Sequence, residues 1–289
     1  SIYGGNLPTT PWTTNAAGRG PAWANSLFED DAEFGFGMRL AFERQRDETR
    51  RLLAALAPRV SNALAHEILD ESGHDDAAIA RQRLRVAELK RRLEELGDPT
   101  AKRLASLADD LVRKTVWIVG GDGWAYDIGF PGLDHVLASG RDVNVLVLDT
   151  QVYSNTGGQA CTSGFVGQIS DMAQYGKVQK GKQEARKEIG LIGMAHRTTY
   201  VMQGTIANAR HMIEGFIRGL KARRPALFNL YSSCQPEHGI GDDMSSAQGK
   251  LAVESRAYPL FRYDPERGKT PAECFDLEGN PALDQDWPT

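Results

Sequence analysis

Residues 115–123 read Thr115-Val116-Trp117-Ile118-Val119-Gly120-Gly121-Asp122-Gly123, a short β-branched apolar run that ends in glycines around an aspartate. A run apolar at consecutive positions suits a strand buried on both faces, and the glycines let the backbone turn sharply out of it. Downstream, an amphipathic stretch over 125–139 leads to a second apolar run at 143–149, Val-Asn-Val-Leu-Val-Leu-Asp. A third run at 199–203 precedes a helical pattern over 206–223, and Ala226–Tyr231 is a fourth strand candidate. Apolar strands alternating with helices predict an α/β class: a doubly wound, mostly parallel sheet covered on both faces.

Upstream the pattern differs. Residues 1–37 are rich in Gly, Pro, Thr and Asn, which predicts extended chain and turns. Over 40–112, leucines such as Leu52, Leu56, Leu89, Leu93 and Leu104 recur at helical spacing among many charges. Pro58, Gly73 and Gly97-Asp98-Pro99 punctuate this into three or four helices with a solvated surface. The reading is one domain over 1–289, with 1–39 and 113–289 as its core and 40–112 as a helical excursion.

Composition narrows the function. With 34 Lys+Arg against 38 Asp+Glu, the net charge of −4 offers no basic field for nucleic acid or anionic membrane. No window approaches 18 uninterrupted apolar residues, so no membrane helix is expected. Cys161, Cys234 and Cys274 are too few for a disulfide framework, which predicts a reducing, cytoplasmic location. The chain opens on Ser1 with no signal-peptide pattern, and the expectation is a part of a longer polypeptide.

The two strand ends carry the chemistry. In a doubly wound sheet, ligands bind beyond the carboxyl ends of the strands. There the sequence has Gly121-Asp122-Gly123 and, 28 residues past Asp122, Thr150 within Asp149-Thr150-Gln151-Val152-Tyr153-Ser154-Asn155. A carboxylate, a hydroxyl and a backbone carbonyl suit Mg²⁺, whose oxygen shell substrate phosphates commonly complete. The plainer alternative is a tight turn in which Asp122 caps the following helix. Neither G-x-G-x-x-G opening a helix nor a Walker loop is present.

The longer wording is more specific. Residues 120–129 (GGDGWAYDIG), 133–140 (LDHVLASG) and 148–159 (LDTQVYSNTGGQ), with 20–30 (GPAWANSLFED), 32–35 (AEFG) and 259–265 (PLFRYDP), resemble the thiamine-diphosphate domain of the pyruvate:ferredoxin (flavodoxin) oxidoreductases. The resemblance implies Mg²⁺ held by Asp122, Thr150 and the carbonyl of Val152. Gly121, Gly123, Trp124, Gln151, Tyr153 and Ser154 would line thiamine diphosphate, and Asn155 would be a catalytic group facing the 2-oxoacid. It implies oxidative decarboxylation of a 2-oxoacid, most simply pyruvate, to acyl-CoA and CO₂, with electrons passing through [4Fe–4S] clusters to ferredoxin or flavodoxin.

The resemblance also says what this chain lacks. The carboxylate that faces the cofactor's aminopyrimidine, and three of the four thiolates of the nearest cluster, would come from other domains or subunits. Cys234 matches the fourth cluster ligand, and the full enzyme is expected to be a homodimer. After Cys234, the wording Gln235-Pro236-Glu237-His238-Gly239 departs from the family's usual one. The competing readings are a non-redox thiamine-diphosphate decarboxylase or carboligase, and a non-catalytic assembly subunit that keeps the fold. Lys177, Lys180, Lys182, Arg186 and Lys187 read as a solvated basic face.

Overall fold

A computed structural model describes residues 14–284 apart from 17, 19, 23, 25–29, 74, 179 and 283. The chain divides into two compact units, one from residues up to 36 together with 117 onward, the other spanning Gly37–Val116.

The smaller unit is helical. Helix α1 (Asp31–Val60) enters it and is followed by α2 (Asn62–Leu69), α3 (Asp76–Leu96) and α4 (Pro99–Leu107). Each later start has a side-chain cap: Ser61, Asp75 and Asp98 accept backbone N–H groups of the first turn. Leu53, Leu56, Ile68, Leu89, Leu93 and Leu104 form its core. Pro58 lies inside α1, and the break comes at Ser61 instead.

The helical character also begins earlier than the composition of 1–37 predicts. Helix α1 starts at Asp31, with Asp31 and Glu33 in its first turn, where carboxylates complement the helix dipole. Gly35 is there for closeness, because a Cβ on it would lie 2.3 Å from Ile118 Cγ1. The expected turn residues 1–13 lie outside the described residues.

The larger unit is built on a six-stranded sheet among the described residues, β1 (Trp117–Gly121), β2 (Asn144–Asp149), β5 (Tyr200–Thr205), β6 (Ala226–Tyr231), β7 (Phe261–Tyr263) and β8 (Phe275–Asp276). Strands β3 (Val152–Tyr153) and β4 (Gln159–Ala160) pair separately, and the spatial order of the six-stranded sheet is β1-β2-β6-β5-β7-β8. The first four run parallel, and β7 and β8 join antiparallel at the edge. Register sets the two faces. Ile118, Val145, Leu227 and Val201 lie in one row toward α5 (Phe130–Ala138) and α6 (Ile189–Ala195), where Leu133, Val136 and Ile189 are buried with them. The next row, Leu146, Phe228 and Met202, faces α7 (Ala209–Lys221), with Phe216 stacked on Phe228 at 4.5 Å. The α/β class with a mostly parallel, doubly wound sheet is what the strand–helix alternation predicts. Among the described residues no helix is long and apolar enough to cross a membrane.

Candidate metal and diphosphate site

Parallel pairing of β1 with β2 sets Gly121 beside Leu148, so the two loops leave the same sheet edge side by side. Asp122 follows Gly121 directly and turns its carboxylate toward the β2 loop. Its Oδ2 accepts the Val152 N–H at 2.9 Å and the Ser163 hydroxyl at 2.7 Å, and its Oδ1 lies 3.2 Å from Thr150 Oγ1. Thr150 Oγ1 is also 2.9 Å from the Val152 carbonyl oxygen and accepts from Ser154 Oγ at 2.8 Å.

This oxygen set fits a small hard cation. Oxygens that are cis neighbours around octahedral Mg²⁺, at about 2.1 Å from it, lie about 3 Å from each other. The Asp122–Thr150 and Thr150–Val152 separations of 3.2 and 2.9 Å have that spacing. The Thr150 hydroxyl has one proton for two acceptors, so with Asp122 ionised one of these contacts is unsatisfied without a cation. A Cβ on Gly121 would meet nothing within 4 Å, which leaves room beside the set.

Electrostatics agree. Asp122 is 3% exposed, and burial, reinforced by the Asp149 carboxylate, pushes it up to about 7. Asp149 is wholly buried and also raised by burial, although Arg186 3.7 Å away and the Tyr126 hydroxyl at 2.8 Å favour its charge. Two carboxyl groups in a dry site without a full complement of positive charge would gain from a divalent ion.

The loop between them is strained and pinned. Gln151 has φ +61°, a left-handed conformation that costs a non-glycine residue about 1 kcal/mol or more. Its N–H donates to Asp149 Oδ1 at 3.1 Å, and its carbonyl accepts from Gln168 Nε2 at 3.0 Å. The Thr150 carbonyl is 2.9 Å from His238 Nε2, and the Val152 N–H goes to Asp122. Side chains from four separate stretches hold one turn in shape.

The other predicted residues fall in different settings. Gly123 has the Tyr153 ring against it, 2.4 Å from where a Cβ would stand, and Tyr153 donates to Asp127 at 2.9 Å. Ser154 and Asn155 begin a short turn, with Asn155 exposed. Trp124 is 1% exposed and packs behind the turn, against Gly120 and Gly129.

The lysine–arginine series divides: Lys177 and Lys180 are exposed, as a solvated face requires, whereas Lys182, Arg186 and Lys187 turn inward. Lys182 is buried, with Nζ on the carbonyls of Gly164 and Glu184, each at 2.9 Å. The Arg186 side chain is buried between Asp149 and the Tyr258 ring, and Lys187 reaches the Tyr126 carbonyl. These cations stabilise the long loop after β4 (Gln159–Ala160) from within, because buried carbonyls need donors and the loop has little regular structure to supply them.

Cys234 is half-buried at the head of α8 (Gln235–His238), whereas Cys161 and Cys274 are buried and unbridged. Among the described residues no three or more His, Cys, Asp or Glu side chains group to hold a metal. Ser163, Gln168 and His238 escaped the sequence reading. They reach the site through the fold from 13 to 88 residues away from Thr150, with no local motif to announce them.

The family described as thiamine pyrophosphate enzyme, C-terminal TPP binding domain, matches residues 101–230. A pyruvate-flavodoxin oxidoreductase of Trichormus variabilis is 47% identical over 94% of this chain and 23% of its own length. One of Rhodospirillum rubrum is 47% identical over 96% of this chain and 23% of its own. A pyruvate:ferredoxin oxidoreductase of Moorella thermoacetica is 41% identical over 94% of this chain and 24% of its own. The chain thus spans about a quarter of the length of these large relatives. Residues 101–230 resemble the C-terminal TPP binding domain of thiamine pyrophosphate enzymes, and nearly the whole chain is similar to one part of these pyruvate-flavodoxin and pyruvate:ferredoxin oxidoreductases.

Proposed function

We propose that this chain binds Mg²⁺ and thiamine diphosphate and works as that part of a pyruvate:ferredoxin/flavodoxin oxidoreductase. Asp122, Thr150 Oγ1 and the Val152 carbonyl would hold the metal, which would bind the diphosphate. Gly121, Gly123, Gln151, Tyr153 and Ser154 form the surrounding wall. When bound, the cofactor supplies a nucleophilic carbon and an electron sink for loss of CO₂ from a 2-oxoacid.

This chain's residues do the holding and orienting. Asp122 balances charge between the ion and the dry sheet edge. The exposed amide of Asn155 is available to donate to the carbonyl of the 2-oxoacid. Cys234 supplies one thiolate of a [4Fe–4S] cluster whose remaining ligands lie outside this chain. Coenzyme A, the electron carrier and the carboxylate facing the aminopyrimidine meet the site in a larger, dimeric enzyme.

The reading rests above all on the single-proton hydroxyl of Thr150 between two acceptors spaced as ligands of an octahedral ion. Calorimetric titration of thiamine diphosphate into the protein, with Mg²⁺ and then with EDTA, tests it. Metal-dependent binding is expected. Binding that survives EDTA unchanged removes the metal assignment, and no binding removes the function.

A further inference from the structure

We propose that His238 is a positioning residue that ties the Cys234 turn to the Thr150–Gln151 turn, so that the two hold their geometry as one body. Cys234 stands at the head of α8, and its N–H donates to His238 Nδ1 at 3.2 Å. A ring nitrogen that accepts carries no proton, so the proton is on Nε2, which donates to the Thr150 carbonyl at 2.9 Å. The imidazole lies parallel to the Tyr231 ring, at an interplanar angle of 3° and 6.4 Å between centroids. One imidazole therefore uses both nitrogens, one on each turn.

The Thr150 carbonyl belongs to the peptide that leads into the left-handed Gln151. That peptide is the one whose orientation decides whether the turn keeps φ +61°. Asp149, Gln168 and Asp122 pin the neighbouring groups from the sheet edge and its loops. His238 is the pin that arrives from the Cys234 side. A second contact supports the docking: Glu237 lies against Gly158, with Oε2 2.0 Å from where a Cβ would be, and Gly158 itself is left-handed. The shape of α8 is thus matched to the 150–158 loop at two points. This inference rests on the proposed role of Thr150 at the metal.

The two hydrogen bonds can be separated by substitution. Asn places an oxygen near Nδ1 and can keep the bond from Cys234. Gln places an N–H near Nε2 and can keep the bond to Thr150. Two readouts use metal-free protein. Alkylation of Cys234 by iodoacetamide reports its turn, since Cys161 and Cys274 are buried. Amide hydrogen exchange over 149–153, followed by mass spectrometry, reports the other.

Loss of one net hydrogen bond corresponds to about a 5-fold change in local opening. His238→Gln is expected to speed alkylation by about that factor with exchange unchanged, His238→Asn to do the reverse, and His238→Ala to do both. Mg²⁺ affinity in the presence of thiamine diphosphate then weakens in His238→Asn and His238→Ala but not in His238→Gln. Alkylation and exchange that match the unsubstituted protein in all three variants would overturn the link. An unsubstituted protein that fails to bind Mg²⁺ and thiamine diphosphate overturns the metal assignment, while the two metal-free readouts still decide whether His238 joins the turns.

Discussion

Replacing Asp122 by Asn should make the metal-free protein more stable while ending its response to Mg²⁺. The substitution keeps the shape of the side chain. The amide oxygen can still accept from Val152 N and Ser163 Oγ, and the new N–H₂ can donate to Thr150 Oγ1. The Thr150 proton is then free to serve the Val152 carbonyl alone. What is lost is a buried negative charge. A carboxyl that climbs from about 3.9 in the unfolded chain to about 7 in the folded one carries about 4 kcal/mol against its charged form. Water entry and relaxation around the charge leave roughly half, about 2 kcal/mol. For a unit of this size that is about 4–8 °C in Tm.

The pH dependence fixes the cause. Folded metal-free protein protonates Asp122 below about pH 7, whereas the unfolded chain does so only below about 3.9. The unsubstituted protein therefore gains stability as pH falls from about 7 towards 4, and the variant does not. Thermal melts in EDTA should show the full advantage of Asp122→Asn at pH 8 and almost none near pH 4. Mg²⁺ with thiamine diphosphate should raise the Tm of the unsubstituted protein alone. A variant no more stable at pH 8, or an advantage independent of pH, refutes the electrostatic argument. An equal ligand-induced rise in both proteins refutes the metal assignment.

Thr150→Val removes one oxygen of the set at constant volume. Mg²⁺ affinity with thiamine diphosphate should fall about 10-fold or more, while the stability of the metal-free protein changes by less than about 1 kcal/mol. Calorimetry and melts on the same samples separate the two effects. His211 is buried, its ring nitrogens have no hydrogen-bond partner among the described residues, and burial pushes it down to about 4, with Arg262 adding to this and Glu214, Asp276 and Glu278 opposing it. Its contribution is intact above about pH 6.5 and lost as pH falls towards 4, so His211→Leu should flatten that part of an acid-denaturation profile. Gly219→Ala sets helix propensity against packing in α7. The methyl would stand 2.5 Å from Phe228 Cζ and 2.9 Å from Tyr200 Cδ1, so the gain of about 1 kcal/mol should be outweighed and Tm should fall. A rise would mean that those rings yield at little cost.

The strands that position the site were legible because each is a local pattern. Burial on both faces makes β5 and β6 mostly apolar at successive positions, β1 and β2 share the pattern although one face of β1 is partly exposed, and the glycines at the end of β1 mark where the chain must turn at once. Asp122 and Thr150 were legible for the same reason, as polar residues at the ends of adjacent parallel strands. The edge strands β7 and β8 were not, being three and two residues long, with no periodicity to detect. Gly35 read as turn chemistry because composition cannot tell a left-handed turn from a helix that must come close to Ile118.

Sequence alone determined the α/β class and the two strand-end loops that carry Asp122 and Thr150, since these follow from neighbours in the chain and from the alternation of strand and helix, whereas Val152 was named only through the resemblance. Tertiary structure alone decided which way the remaining polar groups turned. It sent Lys182 and Arg186 inward, put Trp124 behind the turn, and brought Ser163, Gln168 and His238 onto a strained loop from distant stretches. The physical reason is that buried charges, carbonyls and left-handed peptides must find partners wherever the packed chain supplies them, and that supply is fixed by proximity in space.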